Sequence, residues 1–284
     1  MMSRRLERGV ILTLVTLNVL ILGCGFTGRR VARGMLARGA RVRATTTDPA
    51  RLADLHAEGV GVHAFDFQNA EQRDRLCRIV LPGCLVLHSV PSLESAADSA
   101  ILGCLGDAPA RVVYLSTTSV YGGASLVDES THVERNERTL PRLRTEQAVM
   151  RGRWSSLVLR PAAIYGSGRG VQAAMRGGSF RLGENGGGVT SRIHVDDLAA
   201  HVEAALLSDV TGAFPVADEH PCSSREVADF CSDLLGIPMP AAAKGDEIPR
   251  SRQGNRRVDG RAIRERLGVQ LRYRSYREGI PASL

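Results

Sequence analysis

Gly23-Cys24-Gly25-Phe26-Thr27-Gly28 follows the apolar stretch Asn18–Leu22 and precedes a run in which Val31, Ala32, Met35 and Leu36 fall on one helical face. A Gly-x-Gly-x-x-Gly closing a strand and opening a helix is a phosphate-binding turn of the dinucleotide type. Gly23 permits the tight turn, Gly25 lets a pyrophosphate approach the backbone, and Gly28 lets the helix pack close to the strand. The helix then aims its free N–H groups and the positive end of its dipole at the phosphates. Gly23, Gly25, Phe26, Thr27 and Gly28 are therefore expected to contact a dinucleotide.

The chain continues in the pattern such a unit requires. Gly39 stands where a helix-ending C′ glycine belongs, and Arg41–Thr46 alternates as a second strand. Asp48 and Pro49 restart a helix as N-cap and N1. Further strands are read over Gly61–Phe65, Cys84–His88, Arg111–Ser116 and Ser156–Arg160, with helices over Pro91–Leu105, Val195–Leu207 and Ser224–Leu235. Alternation of strand and helix predicts an α/β fold with a doubly wound parallel Rossmann sheet. Residues 167–191 are glycine-rich and irregular and carry Arg169, Arg176 and Arg181. The expected organisation is a dinucleotide-binding domain over 16–166 and 192–217, and a small discontinuous C-terminal lobe over 167–191 and 218–284. That lobe would cover the carboxyl ends of the strands, where ligands of such sheets bind.

The formal net charge is +7 over 284 residues, and Lys244 is the only lysine. The arginines are scattered, with few aromatics among them, so no nucleic-acid surface is expected. They suit an anionic small-molecule ligand or a solvated surface. The six cysteines have no zinc-type spacing, and no metal site is expected. Reduced buried thiols point to the cytoplasm. Arg4, Arg5 and Arg8 before the apolar run Val10–Leu22 look like an export signal, but cleavage near Cys24 would destroy the glycine turn. The second half of the run is read as the first strand, residues 1–15 as an extension, and no membrane association is expected.

Four motifs stand in order: the glycine turn, Leu115–Gly122 (Leu-Ser-Thr-Thr-Ser-Val-Tyr-Gly), Arg160–Gly166 (Arg-Pro-Ala-Ala-Ile-Tyr-Gly) and Arg192–Asp197 (Arg-Ile-His-Val-Asp-Asp). With these the chain resembles the extended and atypical short-chain dehydrogenase/reductases, the superfamily of nucleotide-sugar epimerases and dehydratases, from about residue 16 onward. The tail, Gly254–Asp259 and Tyr276–Gly279, looks like a shorter epimerase-like branch. The resemblance implies that Asp66 and Phe67 sit at the adenine, Ser89, Val90 and Pro91 along the ribose and pyrophosphate, and Pro161 to Ile164 at the nicotinamide edge. It also implies a possible homodimer. Asp196 and Asp197 read as a cap on the following helix or as a catalytic pair, His194 as packed in place or as a base, and Arg160 and Tyr165 as anchors or ligand contacts. The cap and the packed histidine are favoured.

The superfamily's chemistry uses a Ser/Thr and a Tyr-x-x-x-Lys pair, in which the lysine lowers the tyrosine pKa. Thr117 falls at the Ser/Thr position. The tyrosine slot falls at Arg142 or Leu143, the lysine slot at Glu146 or Gln147, and no Tyr-x-x-x-Lys occurs anywhere. Two readings follow. One is an NAD(P)-dependent oxidoreductase or epimerase-like enzyme with a rearranged proton donor, Thr117, Tyr121 and Tyr165 being the candidates; the other is a non-catalytic NADP(H)-binding or redox-sensor protein. At the end of the second strand Thr46 and Thr47 stand where an NAD site places an acidic residue, and Arg51 is near. Hydroxyls and a guanidinium accept a 2′-phosphate that a carboxylate would repel, so NADP(H) is favoured over NAD(H).

Overall fold

The computed structural model describes residues 16–66, 69–91, 95–183, 186–240, 242–243 and 255–284. Phe67 and the amino-terminal residues 1–15, to which roles are assigned above, lie outside them. Strand β1 (Asn18–Leu22) runs into helix α1 (Phe26–Ala37) through the glycine turn. Strand β2 (Arg41–Thr46), helix α2 (Ala53–Ala57) and β3 (Gly61–Ala64) follow, then α3 (Ala70–Ile79), β4 (Leu85–His88), α4 (Ser95–Leu105) and β5 (Arg111–Leu115). Beyond the short β6 (Leu126–Val127) come α5 (Leu140–Arg151), β7 (Ser155–Pro161) and β8 (Ala163–Tyr165). Helix α6 (Val171–Arg176), β9 (Leu182–Gly183), β10 (Val189–Thr190), β11 (Arg192–His194) and α7 (Val195–Leu207) lead to β12 (Gly212–Val216). The chain ends with β13 (Cys222–Ser223), α8 (Ser224–Leu235), β14 (Ala242–Ala243), β15 (Arg257–Val258) and two short helices, Arg261–Leu267 and Tyr276–Gly279.

Seven strands form one parallel sheet in the order β12-β7-β5-β4-β1-β2-β3. The order reverses beside β1, where a doubly wound sheet opens the crevice for its ligand. Period-two alternation sorts the strand residues onto two faces. Val19, Ile21, Val113 and Leu157 pack with Val31 and Met35 of α1 and Leu198 and Val202 of α7. Leu20, Leu22, Val112 and Val158 pack with Leu76 of α3, Ile101 and Leu105 of α4 and Val149 of α5. Both faces are thus covered, as a parallel sheet requires.

Strand β12 and helices α3 and α5 are absent from the strand and helix list read from the sequence. Strand β12 carries Gly212 and Pro215, which argue against a central strand. It is tolerated because β12 pairs only with β7 and forms the sheet edge. Helix α5 buries Thr145 and Glu146 along with Leu143 and Val149, so its apolar face is broken in the sequence. A third apolar cluster gathers Tyr165, Met175, Phe180 and Leu182 with Val227, Cys231, Tyr276 and Ile280 beside the carboxyl ends of the sheet. Two-stranded ribbons β8–β11, β9–β14, β10–β13 and β6–β15 stitch this region together.

Candidate active site

Each glycine of the turn has a distinct surrounding. Gly23 has φ +77°, and a Cβ there would meet the Val90 backbone nitrogen at 3.0 Å. A Cβ on Gly28 would press on Ile21 Cγ2 at 3.2 Å, so this glycine sets the approach of α1 to β1. A Cβ on Gly25 would meet nothing within 4 Å. The open space lies above the turn, at a helix start with no side-chain cap and no acidic residue in its first turn. Uncapped N–H groups, an unopposed dipole and a cradle that any side chain would fill are the donor set a pyrophosphate needs. The residues present fit a dinucleotide.

The turn is held from below. Thr45 Oγ1 accepts from Gly23 N at 3.0 Å, and Cys24 N donates to Thr45 O at 2.8 Å. Ser89 Oγ donates to Gly23 O at 2.7 Å, so this residue supports the turn from the end of β4. The Phe26 ring carries the Arg30 guanidinium at 4.5 Å and that of Arg169 at 5.4 Å, which adds positive charge beside the anion cradle.

Thr46 closes β2, and Thr46 Oγ1 lies 3.2–3.3 Å from the backbone N and O of Asp48. Asp48 caps the 3-10 turn Pro49–Leu52, accepting from Ala50 N at 3.0 Å, and so is occupied with the backbone. Thr47 and Arg51 are exposed beside it. Arg29 reaches over from α1 to donate to Arg51 O at 2.7 Å and pairs with Asp54. Asp66 is exposed just past β3, and Gln72 accepts from its backbone N at 2.8 Å. Pro91 is exposed, Pro161 is buried at the end of β7, and Ile164 is half-buried in β8.

At the end of β5, Thr117 is half-buried and its Oγ1 accepts from Ser119 N at 3.2 Å, capping the 3-10 turn Thr118–Tyr121. Tyr121 is only 1% exposed, and its hydroxyl accepts from Arg160 Nη1 at 3.1 Å. Burial pushes its pKa up despite that guanidinium. Glu146, 1% exposed, binds Arg160 through two oxygens at 2.6 and 3.1 Å and also accepts from Ser116 Oγ. Burial works against the Arg160 charge, but its bonds to Glu146 outweigh this and raise its pKa. Glu146, one of the two positions to which the resemblance assigns the superfamily's lysine, is thus one half of a buried ion pair. Arg142, one of the two positions to which the resemblance assigns the tyrosine, donates to the Tyr114 hydroxyl at 2.8 Å. Arg256, beside β15, reaches the same turn and donates to Thr118 O at 2.6 Å, Ala124 O at 3.0 Å and Gly122 O. No sequence signal announces this three-way clasp, because it joins residues more than a hundred positions apart.

The fourth motif resolves differently from its reading as an acidic cap. The side chain that caps α7 is His194, accepting from Asp196 N at 3.2 Å. Asp196 instead pairs with Arg30 of α1 at 2.6 Å, and Asp197 accepts from Arg272 N and Tyr273 N at 2.7 and 3.1 Å, pinning the tail. His194 packs between Tyr165 and Tyr273, and burial lowers its pKa to about 4, so it stays neutral at pH 7. Tyr165 donates its hydroxyl to Ser275 O at 3.2 Å and is an anchor for the tail. Among the described residues no group of His, Cys, Asp or Glu is arranged to hold a metal, and no helix is long and apolar enough to cross a membrane.

No protein-family model matches the chain. Its fold matches a functionally unknown conserved protein from Silicibacter pomeroyi, with a TM-score of 0.78 and 29% identity over 94% of this chain and 98% of that one. The Bordetella bronchiseptica enzyme WbmG, solved with NAD, matches with a TM-score of 0.77 and 16% identity over 96% and 94% of the two chains. Over 111 residues, 37% of its length, the chain is 34% identical to a 3-diazoavenalumate denitrifying reductase of Streptomyces sp. It spans only 36% of the length of that curated relative. The chain thus has the Rossmann-type α/β fold of these solved structures.

Proposed function

We propose that the chain is an NAD(P)-dependent oxidoreductase or epimerase-type enzyme that prefers NADP(H) and acts on a small, anionic molecule. The observation that carries this reading is the open cradle at Gly25, over an uncapped helix start and at the same carboxyl edge of the sheet as Thr117, which follows β5 two strands away. The reductase and the NAD-bound enzyme among its relatives support the same class of chemistry. A bound nicotinamide would supply a hydride donor or acceptor. The glycine turn and the start of α1 hold the pyrophosphate, Thr46, Thr47 and Arg51 the adenosine ribose side, and Pro161 and Ile164 wall the nicotinamide edge. The Thr117 hydroxyl donates to the substrate oxygen on which charge develops. Tyr121, enclosed and bonded to Arg160, holds the turn in shape rather than exchanging a proton.

Two predictions test this reading. Native protein binds NADPH more tightly than NADH, and Thr46→Asp reverses the order by repelling the 2′-phosphate, a change of at least about tenfold, or about 1.4 kcal/mol. Calorimetric titration with both cofactors measures it; a native preference for NADH of that size contradicts the assignment. Without a Tyr–Lys pair, NADPH oxidation with ordinary aldehydes and ketones is slow. Thr117→Ala lowers it further, by about 10²-fold for a lost polarising donor, while NADPH affinity stays within about twofold and Thr117→Ser restores the rate. Rapid oxidation untouched by Thr117→Ala rules the assignment out.

The enclosed Glu146–Arg160 pair, at one of the two positions to which the resemblance assigns the superfamily's lysine, favours a second reading: a NADP(H)-binding sensor that turns nothing over. In that case Thr117→Ala leaves cofactor affinity intact and no turnover is seen in either protein.

A further inference from the structure

The turn between β8 and α6 brings an uncommitted guanidinium to the start of α1. Gly166 N donates to Arg169 O at 2.9 Å, and Arg169 N donates to Gly166 O at 3.0 Å. Gln172, which is buried, donates from Nε2 to the same two carbonyls, at 2.9 and 3.0 Å. The backbone of this turn is therefore fixed. It lies against the first residues of α1 and α7: a Cβ on Gly166 would come within 3.3 Å of Phe26 Cζ and 2.6 Å of Val195 Cγ1. Phe26 follows Gly25 directly and opens α1, so the turn borders the open cradle.

Two guanidinium groups approach the Phe26 ring, and they differ in what else they bond. Arg30, 4.5 Å from the ring centre, donates to Asp196 at 2.6 Å and to Phe26 O at 2.9 Å. Arg169 stands 5.4 Å from the ring centre, and among the described residues its guanidinium makes no hydrogen bond and no ion pair. Its side chain is exposed, on a backbone that is held. A cation on an exposed ring gains little, whereas charge-assisted hydrogen bonds from a guanidinium fork to phosphate oxygens are strong. All five N–H donors of Arg169 are free to make them.

We propose that Arg169 is a phosphate-binding residue of the dinucleotide site. Its guanidinium turns from the Phe26 ring onto the pyrophosphate, which the N–H groups at the start of α1 hold from the helix side. The proposal rests on the dinucleotide reading given above. The pyrophosphate is its partner rather than a substrate anion because Arg169 stands at Phe26, the residue after Gly25, while Thr117 follows β5, two strands away from β1.

Calorimetric titration of NADPH and of NADH into the native protein and its variants tests this. The pyrophosphate is common to both dinucleotides, so Arg169→Ala is expected to weaken both by the same factor, about tenfold. Arg169→Lys keeps the charge without the fork and recovers part of the loss. Arg176→Ala, which removes another exposed charge from the same segment, leaves both affinities within about twofold of native. The unfolding midpoint of the free protein is expected to be unchanged in Arg169→Ala, since the side chain is exposed and bonds to nothing in the fold. Native affinity for both dinucleotides in Arg169→Ala overturns the proposal and leaves the dinucleotide site standing. A loss confined to NADPH also overturns it, by placing Arg169 at the 2′-phosphate, and an equal loss in Arg176→Ala reduces it to a general charge effect. If the native protein binds neither dinucleotide, the proposal falls together with the reading it rests on.

Discussion

Gly25→Val is expected to abolish dinucleotide binding while leaving the fold intact. The two effects separate because a Cβ at this position meets no protein atom within 4 Å, whereas the same change at Gly28 would push on Ile21. Gly25 has φ −93°, outside the left-handed region that favours glycine. The added isopropyl group would occupy the space above the uncapped N–H groups of α1. Affinity for NADPH should fall at least about hundredfold, roughly 2.7 kcal/mol, with the thermal unfolding midpoint of the free protein nearly unchanged. Calorimetry on the folded variant measures the first and a melting curve the second. Native affinity in a folded variant would show that the pyrophosphate lies elsewhere.

Arg160→Leu is expected to destabilise the protein by about 3–5 kcal/mol. It strands the enclosed Glu146 carboxylate, which holds Arg160 through two oxygens and, among the described residues, has only Ser116 as its other side-chain partner. It also frees the Tyr121 hydroxyl in the interior. The cost is that of an uncompensated buried charge rather than of the pair itself. The double change Glu146→Leu with Arg160→Leu should therefore recover most of the loss, since replacing both charges by apolar groups is often neutral. Urea unfolding of the two variants decides the matter. A single variant within about 1 kcal/mol of the native protein, the size of an exposed pair, contradicts this account of the interior.

The fold was legible where local chemistry dominates. Asn18–Leu22, Arg41–Thr46 and Val195–Leu207 are strands or helices with the bounds read from alternation and helical spacing. Asp48 and Gly39 behave as their types dictate, one capping a turn and the other taking φ +79° after α1. The three glycines of the turn have the separate surroundings their spacing implies. What was not legible depends on distant partners. The side chain of Glu146 looks like that of a surface helix until Arg160 and Ser116 are brought beside it. Asp196 and Asp197 look like a helix cap because both stand in the first turn of α7; their real partners, Arg30 and the backbone of residues 272–273, come from opposite ends of the chain. The clasp made by Arg256 belongs to the same class.

The central claim is that the turn Gly23–Gly28 holds a nicotinamide dinucleotide. Calorimetric titration of the native protein with NADPH and, separately, NADH tests it most directly. The account predicts saturable binding of one dinucleotide per chain, tighter for NADPH, and lost in Gly25→Val. Failure of either dinucleotide to bind the folded protein contradicts it.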